Sequence, residues 1–86
     1  MSYQVNLRPA AQRFLRKLRD EVLSGRLVTA LRDLAEDPRP TGCLKMTGPE
    51  GFYRVRVGGY RIIYQILDDR LLVLVVDIGH RRDIYR

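Results

Sequence analysis

Three arginines on two short strands are the first sign of chemistry in this chain. In YRVRVGGYRIIY, residues 53–64, Gly58-Gly59 reads as a two-residue hairpin loop, because glycine takes φ > 0 without steric cost. The register follows: Val57 faces Tyr60, Arg56 faces Arg61, Val55 faces Ile62, Arg54 faces Ile63 and Tyr53 faces Tyr64. Side chains alternate between the faces of a strand. Tyr53, Val55, Val57, Tyr60, Ile62 and Tyr64 therefore share one face, and Arg54, Arg56 and Arg61 share the other. Like charges directly opposite each other destabilise a hairpin. Guanidinium forks, however, bind phosphate oxygens bidentately and stay charged at any working pH. An ordinary solvated face mixes signs, and neither strand contains an acid. The arginine face reads as a site for a phosphate backbone.

The segment GHRRDIY, residues 79–85, adds His80, Arg81 and Tyr85. If the apolar strand before it pairs with the second hairpin strand, its end returns beside Arg61 and the Gly-Gly turn. These side chains then reach the arginine face. Together they suit cleavage of RNA by its own 2′-hydroxyl. That reaction needs a base for the 2′-OH, cations around the crowded phosphorus and a proton for the leaving 5′-oxygen. Tyrosine titrates near pH 10, and close arginines favour its anion. The alternative is that Tyr85 packs its ring on the sheet edge and the charges form only a polar end. The residues alone leave both open.

The elements that must hold these groups are legible in outline. Tyr3 to Leu7 alternates as a strand, and Pro9 suits the first turn of a helix. Ala11, Phe14, Leu15 and Leu18 follow helical spacing. Asp20 is placed to cap a second helix with the stripe Leu23, Leu27, Ala30, Leu31 and Leu34. Gly25 inside that stripe costs about 1 kcal/mol relative to alanine. Asp37-Pro38-Arg39-Pro40 ends the helix, since a residue before proline avoids the α region. A short strand is expected around Leu44 to Met46, then the hairpin strands 52–57 and 60–67, a turn at Asp68-Asp69-Arg70 and a last strand from Leu71 to Ile78. The expected fold is α+β, in the order β-α-α-β-β-β: an antiparallel sheet with two N-terminal helices packed on the face bearing Val55 and Ile62. Residues 1–86 read as a single domain.

Composition bounds the rest. The chain has 86 residues, a net charge of +6, and fourteen arginines against two lysines. A basic balance favours polyanions or an acidic protein as partners. Cys43 and His80 are the only cysteine and histidine. That excludes an internal disulfide, fits a reducing cytoplasm, and argues against a thiol nucleophile, a transition-metal site or a bound cofactor. MSYQVNLRPAAQ has no apolar core of a signal peptide. No apolar run approaches a membrane span of about 20 residues. The GxxG of Gly48-Pro49-Glu50-Gly51 precedes a strand and carries an acid, unlike the basic interhelical loop of a KH domain. Tyr53, Tyr60 and Tyr64 lie on the core face, whereas Phe52 lies on the arginine face.

The run LKMTGPEGFYRVRVGGYRIIYQILDD, followed after one strand by GHRRDIY, resembles the RelE family of the RelE/ParE toxin superfamily over essentially the whole chain. The resemblance implies a toxin of a type II toxin–antitoxin system. Such a toxin enters the ribosomal A site and cuts the mRNA codon there, leaving a 2′,3′-cyclic phosphate and a 5′-hydroxyl. It implies a cognate antitoxin that neutralises the toxin, in a hetero-oligomeric complex that binds operator DNA through the antitoxin. By the same resemblance Tyr85 is the general base and Arg81 the acid or leaving-group stabiliser. Arg54, Arg56 and Arg61 hold the scissile phosphate, and His80 is a second acid–base candidate. Lys45 and Arg82 join Arg54, Arg56 and Arg61 as candidate RNA contacts. Two features depart from the pattern. The best-known members often carry lysine where this chain has Arg54 and Arg56, and many continue past the tyrosine into a helix. Both are compatible with a weak or inactive toxin. The rival expectations are a ParE-type inhibitor of DNA gyrase on the same fold, and a catalytically weak homologue that acts mainly in antitoxin binding and operon autoregulation.

Overall fold

The computed structural model of the chain describes residues 2–80. Strand β1 (Gln4–Leu7) leads into helix α1 (Pro9–Lys17) and helix α2 (Glu21–Glu36). A two-residue strand β2 (Leu44–Lys45) precedes the hairpin strands β3 (Phe52–Val57) and β4 (Tyr60–Leu67). A single 3-10 turn at Asp68–Arg70 then returns the chain into β5 (Leu72–His80). Proline at the start of α1 loses no helical hydrogen bond, as expected of the first turn. Asp20 caps α2 by accepting the Leu23 N–H at 3.0 Å. Helix α2 ends at Glu36, before the two prolines.

The five strands lie in the order β1-β5-β4-β3-β2. Strands β2 to β5 pair antiparallel, but β1 runs parallel to β5, so the sheet is mixed and not wholly antiparallel as expected. The direction of β1 follows from its neighbours. Its edge is tied at both ends, by Gln4 N–H to Leu71 O at 2.8 Å and Arg8 N–H to Val75 O at 2.8 Å. Both helices cover one face. Ala11, Leu27, Leu31 and Leu34 bury against Val57, Ile62, Tyr64, Val73, Val75 and Ile78. Tyr64 is fully buried and donates its hydroxyl to Pro38 O at 2.8 Å, closing the core beneath the loop that follows α2. Burial pushes the Tyr64 phenol well above its ordinary range, and the Cys43 thiol adds to the effect. Among the described residues no helix is long and apolar enough to cross a membrane.

Candidate functional site

The hairpin register is the one the Gly-Gly turn dictates: Val57 with Tyr60, Arg56 with Arg61, Val55 with Ile62, Arg54 with Ile63 and Tyr53 with Tyr64. Gly58 holds φ at +61°, and Gly59 is not among the residues of positive φ. That sign pattern belongs to a type II′ turn, whose twist suits a two-residue hairpin. The turn therefore fixes Arg54, Arg56 and Arg61 on the face away from the helices.

Three rows of side chains cross that face. Nearest the turn, Arg56, Arg61 and Gly79 lie side by side on β3, β4 and β5. The next row holds Leu44, Arg54, Ile63 and Asp77. The third holds Phe52, Gln65 and Leu74. Successive rows are two residues, or about 7 Å, apart.

The face is not evenly solvated. Arg56 is exposed and Arg54 half-buried, but Arg61 keeps only 5% of its exposure and Ile63 only 4%. Gly79 presents no side chain beside Arg61. A buried arginine keeps its charge. The sequence reading treated the three arginines as equivalent. The structure instead grades them from a sunken cation to an exposed one.

Two features of β5 escaped the sequence reading. Its register slips between Ile63 and Tyr64, so Tyr64 pairs with Val75 while Ile63 pairs with Asp77. Val76 is the extra residue of a β-bulge, and bulges commonly re-aim side chains beside functional sites. The bulge puts Asp77, the one acidic residue within the five strands, on the arginine face. The second feature is length. Strand β5 runs two residues beyond Ile78, and His80 pairs with Tyr60. His80 thus sits on the helix side, with its ring edge-on to Tyr60 at 5.3 Å, and not on the arginine face where sequence reasoning put it. Tyr60 in turn meets Phe14 at 5.6 Å. His80 is in an aromatic stack, with Arg61 on the opposite face of the neighbouring position.

Lys45 pairs with Tyr53 and so points away from Arg54's face, although both residues line one shallow concavity at the β2 edge. The remaining candidates, Arg81, Arg82 and Tyr85, lie outside the described residues. Among the described residues no three His, Cys, Asp or Glu side chains gather to hold a metal ion.

A basic sheet face thus lies opposite a two-helix layer. The model of the ParE toxin of type II toxin–antitoxin systems matches residues 5–85. The chain belongs to the RelE/ParE toxin family. Toxin RelG of Mycobacterium tuberculosis is 34% identical over 86 residues, covering 100% of this chain and 99% of that protein. The mRNA interferase toxin RelE of Escherichia coli is 30% identical over 83 residues, covering 94% of this chain and 85% of that protein. Among solved structures, the toxin–antitoxin complex RelBE2 from Mycobacterium tuberculosis superposes with a TM-score of 0.76 at 29% identity, covering 94% of this chain and 100% of that one. The intact RelBE toxin–antitoxin complex of Escherichia coli gives 0.79 at 27% identity, covering 92% and 96%. This toxin of the RelE type therefore carries the α+β fold of that family, and its arginine face lies on the sheet surface that the helices leave open.

Proposed function

We propose that this toxin is a ribosome-dependent mRNA endoribonuclease whose cleavage surface is the arginine face. The observation that carries the reading is the register: Arg54, Arg56 and Arg61 converge on one face, with Arg61 sunk into the sheet. A fixed, partly desolvated cation stabilises charge developing on a phosphoryl oxygen without reorganising at the moment of reaction. Arg56 and Arg54, more exposed, hold the flanking phosphates bidentately. The relative from Escherichia coli is named an mRNA interferase, which supports the same reading.

In this mechanism the 2′-hydroxyl of the A-site nucleotide attacks its own 3′ phosphorus. The P–O bond to the 5′-oxygen of the next nucleotide breaks, leaving a 2′,3′-cyclic phosphate and a 5′-hydroxyl. Tyr85 takes the 2′ proton and Arg81 stabilises or protonates the leaving oxygen, with Arg61 on the pentacoordinate charge. No metal or cofactor enters. His80, held in the Tyr60 stack, is a weaker acid–base candidate than Arg81. Lys45 and Arg82 are secondary RNA contacts. An antitoxin partner is part of the proposal, supported by structural relatives that are toxin–antitoxin complexes. So are operator binding through that antitoxin and a cytoplasmic place of action.

A second reading, inhibition of DNA gyrase, stays in view because the matching family model is that of the ParE toxin. Primer extension on ribosomes programmed with a defined mRNA separates the two. The expected result is cuts confined to the A-site codon, absent on naked RNA, and lost in Arg61→Ala and Tyr85→Phe. Growth arrest without any such cut, with gyrase inhibited in a supercoiling assay, overturns the nuclease reading.

A further inference from the structure

Phe52 stands apart from the other aromatic residues. Tyr53, Tyr60 and Tyr64 face the helices, while Phe52 shares the arginine face, one row beyond Arg54. It borders a trough of about 440 Å³ that also takes in Arg8, Gln65 and the bulge residue Val76. Three details make this trough more than an uneven surface. Val76 lies at the bulge of β5, where the strand bends beside the trough. The backbone of Arg8 is pinned to the strand beside that bulge by its N–H to Val75 O at 2.8 Å. Gln65 donates its side-chain Nε2 to Glu50 O at 2.9 Å, which fixes the amide and leaves Oε1 as an acceptor.

The geometry points to a nucleobase-recognition subsite formed by Phe52, Gln65 and Arg8. It deepens the proposed function and rests on it: the RNA whose phosphate lies over Arg54 and Arg61 places a neighbouring base in the trough. Single-stranded RNA is recognised by stacking unpaired bases on aromatic rings and hydrogen-bonding their edges. Phe52 supplies the ring. Gln65 Oε1 accepts from a base N–H, and the Arg8 guanidinium donates to an adjacent ring nitrogen or carbonyl. Val76 gives the base an apolar floor. Phe52 and Arg54 lie two residues apart on the same face, about 7 Å along the strand. One nucleotide reaches from a phosphate to a base over that span. The subsite thus selects which codon is presented to the arginines, and the arginines act on its backbone.

The test uses a 2′-O-methyl triadenylate, which cannot be cleaved, and the same sugar–phosphate backbone lacking bases. Both are titrated against the whole chain by NMR. Base stacking on an aromatic ring predicts roughly tenfold tighter binding of the adenine form. It also predicts intermolecular contacts between adenine protons and the Phe52 ring. Phe52→Tyr keeps both, because it keeps the ring. Phe52→Leu loses both while filling much of the same space, which a merely structural role would not require. Gln65→Leu keeps the ring contacts and weakens binding a few-fold. Equal affinity for the two backbones, or no binding of either, overturns the subsite. Ribosomal cleavage whose codon profile is identical in wild type and Phe52→Leu overturns it too, and leaves the nuclease reading standing. Base-dependent binding without any ribosomal cleavage does the reverse.

Discussion

At the residue scale the paired arginines divide their labour by depth. The repulsion between Arg56 and Arg61 is real, since they are direct cross-strand partners. Its consequences differ for the two residues because Arg56 is exposed and Arg61 is not. Arg56→Ala removes one of two opposed charges from solvent, so its effect on stability lies within about 0.5 kcal/mol and favours the variant. Arg61→Ala also deletes a buried aliphatic stem that packs against the sheet, so it costs about 1–3 kcal/mol. Thermal denaturation checks the contrast, and under the proposed nuclease function both variants lose mRNA cleavage. Equal loss of stability in the two would show that the grading of burial carries no weight. Asp77 tempers the same face. It lies diagonally from Arg61, across the pair Ile63–Asp77, and offsets part of the positive field of that face.

At the element scale the hairpin is the part that the amino-acid sequence specifies most tightly. Two adjacent glycines leave one register, and that register alone sorts arginines from tyrosines. Gly58 carries the constraint: at φ +61° any side chain is strained, even though only the flexible Arg26 guanidinium lies near, 3.4 Å from where a Cβ would stand. Gly58→Ala therefore destabilises by about 1 kcal/mol or more. Gly59→Ala, with nothing closer than His80 Nε2 at 3.7 Å, is tolerated. Chemical denaturation of the two variants is the measurement, and a Gly59 effect as large as the Gly58 effect would contradict the II′ assignment. The helices were equally legible, because Pro9, Asp20 and Asp37-Pro38 mark their ends chemically. Strand β5 was not. A buried strand apolar on both faces has no alternation from which to read a register. A one-residue slip moves every later side chain to the other face. The Val76 bulge is such a slip, and it hid both Asp77's arrival among the arginines and His80's departure to the Tyr60 side. The parallel pairing of β1 was hidden for a different reason. It joins the first strand to the last, and no local pattern records so distant a partner.

At the scale of the whole molecule, the end of the sheet opposite the arginine turn is fastened by polar contacts. Asp68, in the turn between β4 and β5, accepts the Tyr3 hydroxyl at 2.6 Å and both Arg39 Nη groups, at 3.2 and 2.9 Å. The Arg39 guanidinium also lies over the Tyr53 ring, 5.5 Å from its centroid. Four segments are joined there: the approach to β1, the loop after α2, strand β3 and the β4–β5 turn. Hydrogen bonds from Arg39 and then from Tyr3 hold the Asp68 carboxyl down, from its ordinary 3.8 to about 2. The same bonds raise Tyr3 and Arg39 above their usual values. A carboxylate whose folded pKa is depressed stabilises the fold above its unfolded pKa and loses that contribution as pH falls through the folded one. The contribution of Asp68 is thus complete at neutral pH and disappears between about pH 4 and pH 2. The ion pair is well exposed, so its contribution is modest and weakens with salt. Melting temperatures of wild type and Asp68→Asn, followed from pH 7 to pH 2, should differ at neutral pH and converge near pH 2. The difference between the two curves removes the general acid destabilisation of so basic a chain. The network lies at the far end of the sheet from Arg56 and Arg61, so Asp68→Asn should leave the hairpin-turn end of the arginine face unchanged at neutral pH. A parallel pair of melting curves down to pH 2 would mean that Asp68 does not hold these four segments together.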